Sequence, residues 1–387
     1  MPRTNFLSFA PPALSDLEVK YVQEVLEQGT WLSSGPKTKA FEEAFKEKVR
    51  APASLALNSC TAGLHLAMVV HRIGKGDEVI TTPLTFCATA NVVEHVGGTV
   101  RLADVEPETL LMDPKQVEKV VSAKTKLVLP VHYAGQPCDM ETLKLLAGGR
   151  GIHVVEDAAH CMPSKIGQRW IGSSPNLTLF SFYANKNMTT GEGGMMTGAP
   201  ELLDEARRLA LHGMSRTAWD RFAKGGNWKY DVLEPGFKYN MTDMAAALGL
   251  AQLERLGELY ERRMAMVRIY EQAFKGSKFL RPLKVRPGVQ SSYHLYVVLL
   301  EPEALSIERD QFIVELGERN IGSSVHYTPV HMLSYYAKKY GWKPADFPNA
   351  YTAFTRMVSL PLSSKMVEQD AFDVIEAVQD ICQKFAR

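Results

Sequence analysis

The sequence predicts an α/β fold, with a large domain whose mostly parallel sheet is covered by helices on both faces, followed by a smaller C-terminal α+β domain. Three observations carry this. From Ser54 to Phe182 short apolar runs alternate with helical patterns, as expected of strands joined by crossover helices. After Gly198 the pattern shifts to helices and then to a mixed region. The chain has 387 residues with 45% hydrophobic content, enough for two cores. We assign residues 1–240 to the large domain, including an N-terminal helical segment, and residues 241–387 to a long connecting helix and the small domain.

Ser15 and Glu18 have the spacing of a capping box for a helix carrying Tyr21, Val22, Val25 and Leu26 on one side and closed by Gly29. The turn WLSSGP at Trp31–Pro36 either caps a site with its aromatic or is anchored by a buried Trp31. Phe41, Phe45 and Val49 mark a second helix. Strand and helix then alternate: SLAL, TAGLHLAMVVHRIG, DEVITT, a helix through Asn91–His95, and TVRLADV. A helix from Pro114 with Asp113 as its N-cap follows, then KLVLPV, the MET to LLA helix, IHVVED and LTLFSF. One long helix is expected from near Thr242 through ERRMAMVRIYEQAF. HLYVVLL, a helix around Phe312–Leu316, SSVHYTP and a final helix near Val367–Phe385 complete the small domain.

Forty-four basic against forty-three acidic residues give a net charge of +1, so no global field recruits nucleic acid or an anionic membrane. No run of eighteen apolar residues occurs, and the first residues lack the pattern of a secretory leader, which predicts a cytoplasmic protein. The five cysteines form no CxxC pair and read as core residues, not as a disulfide framework or zinc site. His326 and His331 are not spaced as a zinc pair, and no metal is assigned.

The candidate chemistry lies between Ile152 and Gly198. Asp157 ends an apolar run, and Lys186 stands between a strand-like run and the Gly-rich NKNMTTGEGG. A pyridoxal phosphate enzyme needs this pairing: a lysine amine to attach the cofactor, and a carboxylate to keep its pyridine nitrogen protonated so that the ring acts as an electron sink. Asn58–Gly63 follows the first strand and opens a helix, either as a phosphate cup or simply as a cap. It is neither a GxxxxGK[ST] loop nor a GxGxxG fingerprint. His160, three residues beyond Asp157, either meets the cofactor or is structural.

EDAAH at Glu156–His160, SFYANKNMTTGEGG at Ser181–Gly194 and GFKYNMTDMAAALGLAQLERL at Gly236–Leu256 closely resemble the DegT/StrS family of nucleotide-sugar aminotransferases. WLSSGPKTKAFEEAF, GKGDEVITTPLTFCATANVV, PVHYAGQPCDM, VHYTPVH and VSLPLS extend the resemblance over nearly the whole chain. It implies the type I fold of pyridoxal phosphate transferases and transfer of an amino group from an amino acid, glutamate, to a keto-sugar nucleotide. It also implies that Thr61, Ala62 and Ser181 bind the cofactor phosphate, that Phe86 stacks on the ring, and that His326 and Tyr327 approach the sugar. Asn240 is implied to reach the cofactor of a neighbouring subunit, making the active unit a homodimer with shared sites. WLSSGP resembles the version in members acting at C4 of the sugar, and Pro163 and Tyr183 depart from the family's usual residues, which bears on sugar choice. Two rival readings are a sugar dehydratase of the same superfamily, which carries histidine where Lys186 stands, and a ligand sensor that kept the fold.

Overall fold

The computed structural model describes residues 3–215 and 229–387. The large domain is organised by two ladders. One runs in the order β3 (Thr99–Leu102), β2 (Glu78–Thr81), β4 (Thr125–Val128), β5 (His153–Val154), with every pairing parallel. The other runs β1 (Ala53–Leu57), β10 (Gly194–Gly198), β9 (Thr178–Ser181), β6 (Glu156–Asp157). β5 and β6 are the two ends of one extended segment. Val155 donates to Val128 O at 3.1 Å and Asp157 to Pro130 O at 2.9 Å, so the ladders form one continuous sheet. β10 is antiparallel to both β1 and β9.

Period-two alternation sorts the side chains of this sheet onto two cores. Leu55, Leu57, Leu179 and Met196 join a core with the helices Cys60–Val70 and Pro200–Leu209. Ala56, Phe180 and Met195 face the other way and join Phe41 and Phe45 of the helix Pro36–Val49. Helices therefore cover both faces, as the sequence predicts. At the first helix the capping box of Ser15 and Glu18 and the left-handed Gly29 are both present. Its apolar stripe is only partly used, since Val25 is buried while Val19 and Leu26 are exposed.

In the small domain β11 (Leu280–Pro282), β13 (Tyr296–Leu300) and β14 (Met357–Leu360) form an antiparallel sheet with β13 in the middle. Tyr296, Val298 and Leu300 pack on the helices Arg309–Glu318 and Glu368–Lys384, while Val297 and Leu299 belong to the large-domain core. β13 thus binds the two domains through its own pleat. The N-terminal segment joins the small-domain core: Leu7 bridges Ile321, and Arg3 pairs with Asp370 and Asp373, each at 2.6 Å.

Two elements differ from expectation. The long helix is two helices, Asp243–Glu254 and Leu256–Phe274, broken at Arg255, whose guanidinium reaches the buried Glu18 at 2.7 Å. The break lets Leu253 and Leu256 bury with Phe41 while Met266 and Val267 bury in the small domain. The hairpin β7 (Lys165–Ile166) and β8 (Arg169–Trp170), with β12 (Val289–Gln290) beside β7, is also unforeseen. Its strands are too short to carry a periodic signal.

Gly194, at the start of β10, lies against the helix that opens after β1. A Cβ there would stand 2.6 Å from Cys60 N and from the Ser59 carbonyl carbon. Backbone cannot yield as a side-chain tip can, so Gly194→Ala is expected to cost about 1–3 kcal/mol. The check is a lowered midpoint of denaturant unfolding with an unchanged m-value.

Candidate active site

The carboxyl end of a parallel sheet is where open α/β folds place their ligands, and Asp157 closes β6 at that edge. A cavity of about 490 Å³ opens there. Thr61, Phe86, Asp157, His160, Ser181, Lys186, His326 and Tyr327 all line it. Residues drawn from across the sequence thus meet in one space, although no single stretch of chain contains them all.

Asp157 is 4% exposed. Its Oδ2 accepts from Thr89 Oγ1 at 2.9 Å and its Oδ1 from the Ala159 amide at 3.2 Å. Burial pushes its carboxyl up, against these two donors and nearby Lys186, which favour the carboxylate. Behind it His132 Nδ1 accepts from the Cys138 amide at 3.2 Å, so Nε2 carries the proton and faces Glu156 Oε2, also at 3.2 Å. Lys144 completes the group at 3.0 Å from Glu156 Oε1. The His132 backbone amide donates to Asp157 O at 3.0 Å, so this buried network anchors the strand end that carries the acid.

Lys186 lies in the loop between β9 and β10, where its backbone amide donates to Tyr183 O at 2.9 Å. Burial of the amine lowers its pKa to about 8, opposed by Cys60 and Asp157. Its Nζ is 3.3 Å from His294 Nε2. At pH 7 such an amine is neutral in about a tenth of molecules, far more than a free lysine, and so is better suited to proton transfer and nucleophilic attack.

The helix Cys60–Val70 opens with Ser59 as its N-cap, and Ser59 Oγ accepts from the Ala62 amide at 3.0 Å. Cys60 and Thr61 line the cavity, and the first amides of a helix have no acceptor within it, so this end suits an anion. Phe86 is 57% exposed, its ring centroid 5.8 Å from that of Tyr327. His160 Nε2 lies 2.9 Å from Tyr327 Oη, while His160 Nδ1 is buried without a partner. His326 Nδ1 bonds Ser359 Oγ at 2.9 Å, and burial with the charge of Lys186 lowers its pKa to about 4.

Two residues singled out in the sequence are not in the cavity wall. Ala62 is buried, its amide taken by Ser59. Asn240 borders a neighbouring depression with Val22, Met244 and Leu248, its Nδ2 donating to Ser34 Oγ at 2.7 Å. The WLSSGP turn is held on Asp243, which accepts from the amides of Gly35 at 2.7 Å and Thr38 at 2.9 Å; Trp31 is not among the cavity-lining residues. Sequence reasoning missed Thr89, His294 and Asn187. Thr89 sits in the first turn of the helix Ala88–His95, a position from which a hydroxyl can reach past the strand ends, and this is the one signal available for it.

A buried acid and a partly neutral lysine at the carboxyl end of this sheet, with a helix N-terminus beside them, define a pyridoxal phosphate enzyme of the type I fold. The chain belongs to the DegT/DnrJ/EryC1/StrS aminotransferase family, whose model matches residues 12–379. It is 46% identical over 381 residues to the spore coat polysaccharide biosynthesis protein SpsC of Bacillus subtilis, covering 98% of each chain. It is 41% identical over 382 residues to MJ1066 of Methanocaldococcus jannaschii, covering 98% of this chain and 99% of that one. Among solved structures, Spr1654 of Streptococcus pneumoniae, assigned as a sugar aminotransferase, superimposes in its PMP form with a TM-score of 0.92 at 34% identity over 98% of this chain and 99% of that one. PseC of Helicobacter pylori, an aminotransferase of pseudaminic acid biosynthesis, gives a TM-score of 0.91 at 26% identity over 98% and 100% of the two chains. Pyridoxal phosphate is the cofactor, and the activity is that of an aminotransferase. Among the described residues, no helix is long and apolar enough to cross a membrane.

Thr89→Val removes a donor that favours the Asp157 carboxylate, so the carboxyl pKa rises further. The acid limb of the pH–rate profile is expected to move to higher pH, with kcat/KM at neutral pH falling about tenfold for a hydrogen bond to a charged group. Steady-state kinetics across pH check both.

Proposed function

We propose that the protein moves an amino group from an amino acid, glutamate, to a keto-sugar attached to a nucleotide, at C4, for amino-sugar and polysaccharide biosynthesis in the cytoplasm. The observation that carries this reading is the placement of the Lys186 amine and the Asp157 carboxyl on one cavity. The spore coat polysaccharide role in the name of SpsC supports the sugar pathway. WLSSGP, with its resemblance to C4-acting members, supports the position.

The residues fit the cofactor: a buried carboxylate for a ring nitrogen, an amine of depressed basicity, a helix N-terminus for a phosphate, and an unpartnered His160 Nδ1 in the wall. When bound, pyridoxal phosphate supplies an electron sink and a carrier for the amino group. Asp157 would hold the proton on the ring nitrogen. Thr61, with Ser181, would hold the phosphate, and Phe86 would cover the ring face. Lys186 would hold the cofactor at rest and, once released by the donor amine, act as the acid and base that moves a proton at the substrate carbon. His160 would meet the ring or its oxygen, and His326 and Tyr327, from the small domain, would approach the sugar.

The active unit is read as a homodimer with shared sites. Asn240 lies outside its own cavity, and exposed apolar side chains, among them Leu26, Leu32 and Met244, suit a covered surface. In mixtures of Lys186→Ala and Asn240→Ala chains, each weak alone at limiting cofactor, every mixed dimer then contains one undamaged site. Activity is expected to reappear on mixing, and its absence with subunit exchange established by mass refutes sharing.

The reaction is tested by incubating the protein with glutamate and a panel of keto-sugar nucleotides, locating the new amine by mass and NMR. An amine on C4 is expected; one on C3 overturns the assignment of position. Borohydride should fix the cofactor on Lys186, and a label elsewhere removes its role. Asp157→Asn is expected to retain some cofactor and lose most transamination, because a neutral amide cannot hold the ring proton.

A further inference from the structure

His294 stands just before β13, a strand of the small domain, yet its ring reaches the lysine of the large-domain site. Its Nε2 is 3.3 Å from Lys186 Nζ and its Nδ1 is 3.2 Å from Asn187 Oδ1. The surrounding bonds fix which ring nitrogen carries the proton. Asn187 Nδ2 donates to Ser292 O at 2.8 Å, which leaves the amide oxygen for the ring. An amide oxygen only accepts, so the hydrogen is on Nδ1 and Nε2 presents a lone pair to Lys186. Burial, then the charge of Lys186, hold His294 well below the usual histidine range, so the ring stays neutral.

The backbone that carries this ring is braced on several sides. Tyr293 adopts a left-handed φ of 45°, a conformation disfavoured for an aromatic residue and maintained here by its surroundings. The buried Arg263 donates from Nη1 to Tyr293 O at 3.2 Å and to Leu362 O at 3.0 Å. The Ser292 amide donates to Ser164 Oγ at 3.1 Å and to Gly135 O at 3.0 Å. A Cβ on Gly135 would stand 2.2 Å from Ser292 Oγ and 2.9 Å from His294 N. The ring itself lies 4.3 Å, centroid to centroid, from that of His160.

We propose that His294 is a positioning residue for the catalytic lysine: its Nε2, oriented by Asn187, accepts a hydrogen bond from the Lys186 amine and holds that amine protonated and aimed. This rests on the reading of Lys186 as the group that carries a proton during transamination. No proton changes owner in the contact. A neutral imidazole of depressed basicity accepts the bond while the proton stays on nitrogen Nζ. Other groups also face Lys186. Cys60, from the helix after β1, and Asp157, from β6, favour the ammonium; His160, His326 and, behind His294, Arg263 stand on the remaining sides. An accepting lone pair among them favours the charged amine, so its loss makes the amine easier to deprotonate.

The test uses the full-length chain stripped of cofactor. Acetylation of Lys186 by isotope-labelled acetic anhydride is followed against pH, with the site read by peptide mass. The native midpoint is expected near the lysine pKa of about 8. In His294→Leu the midpoint should fall by about one pH unit, which raises the neutral fraction at pH 7 about five-fold. His294→Gln should restore the native midpoint, because its amide oxygen can accept the same bond. Asn187→Leu, which leaves the imidazole in place but frees its orientation, should shift the midpoint in the same direction as His294→Leu. An unchanged midpoint in folded His294→Leu, or a Gln variant that behaves like Leu, overturns the proposal. Where circular dichroism shows His294→Leu to be unfolded, the Asn187→Leu midpoint decides. The assay needs neither sugar nor cofactor, so failure of the transaminase reading, seen by borohydride labelling of the loaded native chain, is distinguishable from failure of this contact.

Discussion

The site depends on keeping an acid and an amine in one cavity that withdraws water from both. Desolvation acts on the two groups in opposite senses, raising the carboxyl of Asp157 and lowering the amine of Lys186. Unchecked, it would neutralise the pair. Thr89 and the Ala159 amide oppose this by favouring the carboxylate, while Cys60 and the acid itself oppose the fall of the amine. The fold serves this balance: a parallel sheet ends its central strand at the acid, and the loop between two further strands carries the lysine to it.

Around this pair the molecule is built so that both domains contribute. The large domain supplies the acid, the lysine and the helix end. The small domain supplies His294, His326 and Tyr327 from segments that flank its own sheet. β13 packs on both cores through alternate side chains, so a displacement of the small domain is felt at the ring of His294.

Much of this was legible in the sequence because it is local. Apolar alternation located β1 to β6, and β9, and the capping residues at Ser15 and Asp113 marked helix starts that the structure contains. Asp157 and Lys186 stood out because each sits at a junction of strand and turn. What was not legible depends on distance through space. His294 reads as an ordinary residue before a strand; only the docking of the small domain brings it to Lys186. The break at Arg255 answers to a buried Glu18 more than two hundred residues earlier, and β10, hidden in a Gly- and Met-rich stretch, has no pattern that separates a strand from a turn. Asn240 was singled out through the resemblance, as a residue reaching a neighbouring subunit's cofactor, and its place outside its own cavity follows from the path of the chain, not from its type.

The antiparallel strand β10 gives the lysine loop a particular standing. β9 and β10 are paired neighbours inside the sheet, so Lys186 rides on the tip of a hairpin whose two arms are both interior strands. One arm adjoins the acid-bearing β6 and the other adjoins β1, which leads to Ser59. The acid, the amine and the helix end are therefore stitched edge to edge by backbone ladders, as rungs of one frame. Such a frame tolerates little change in length between Ser181 and Gly194. The rim is held differently: Tyr183 and the small-domain loops stand free of the ladders, so change there leaves the acid and the amine in place.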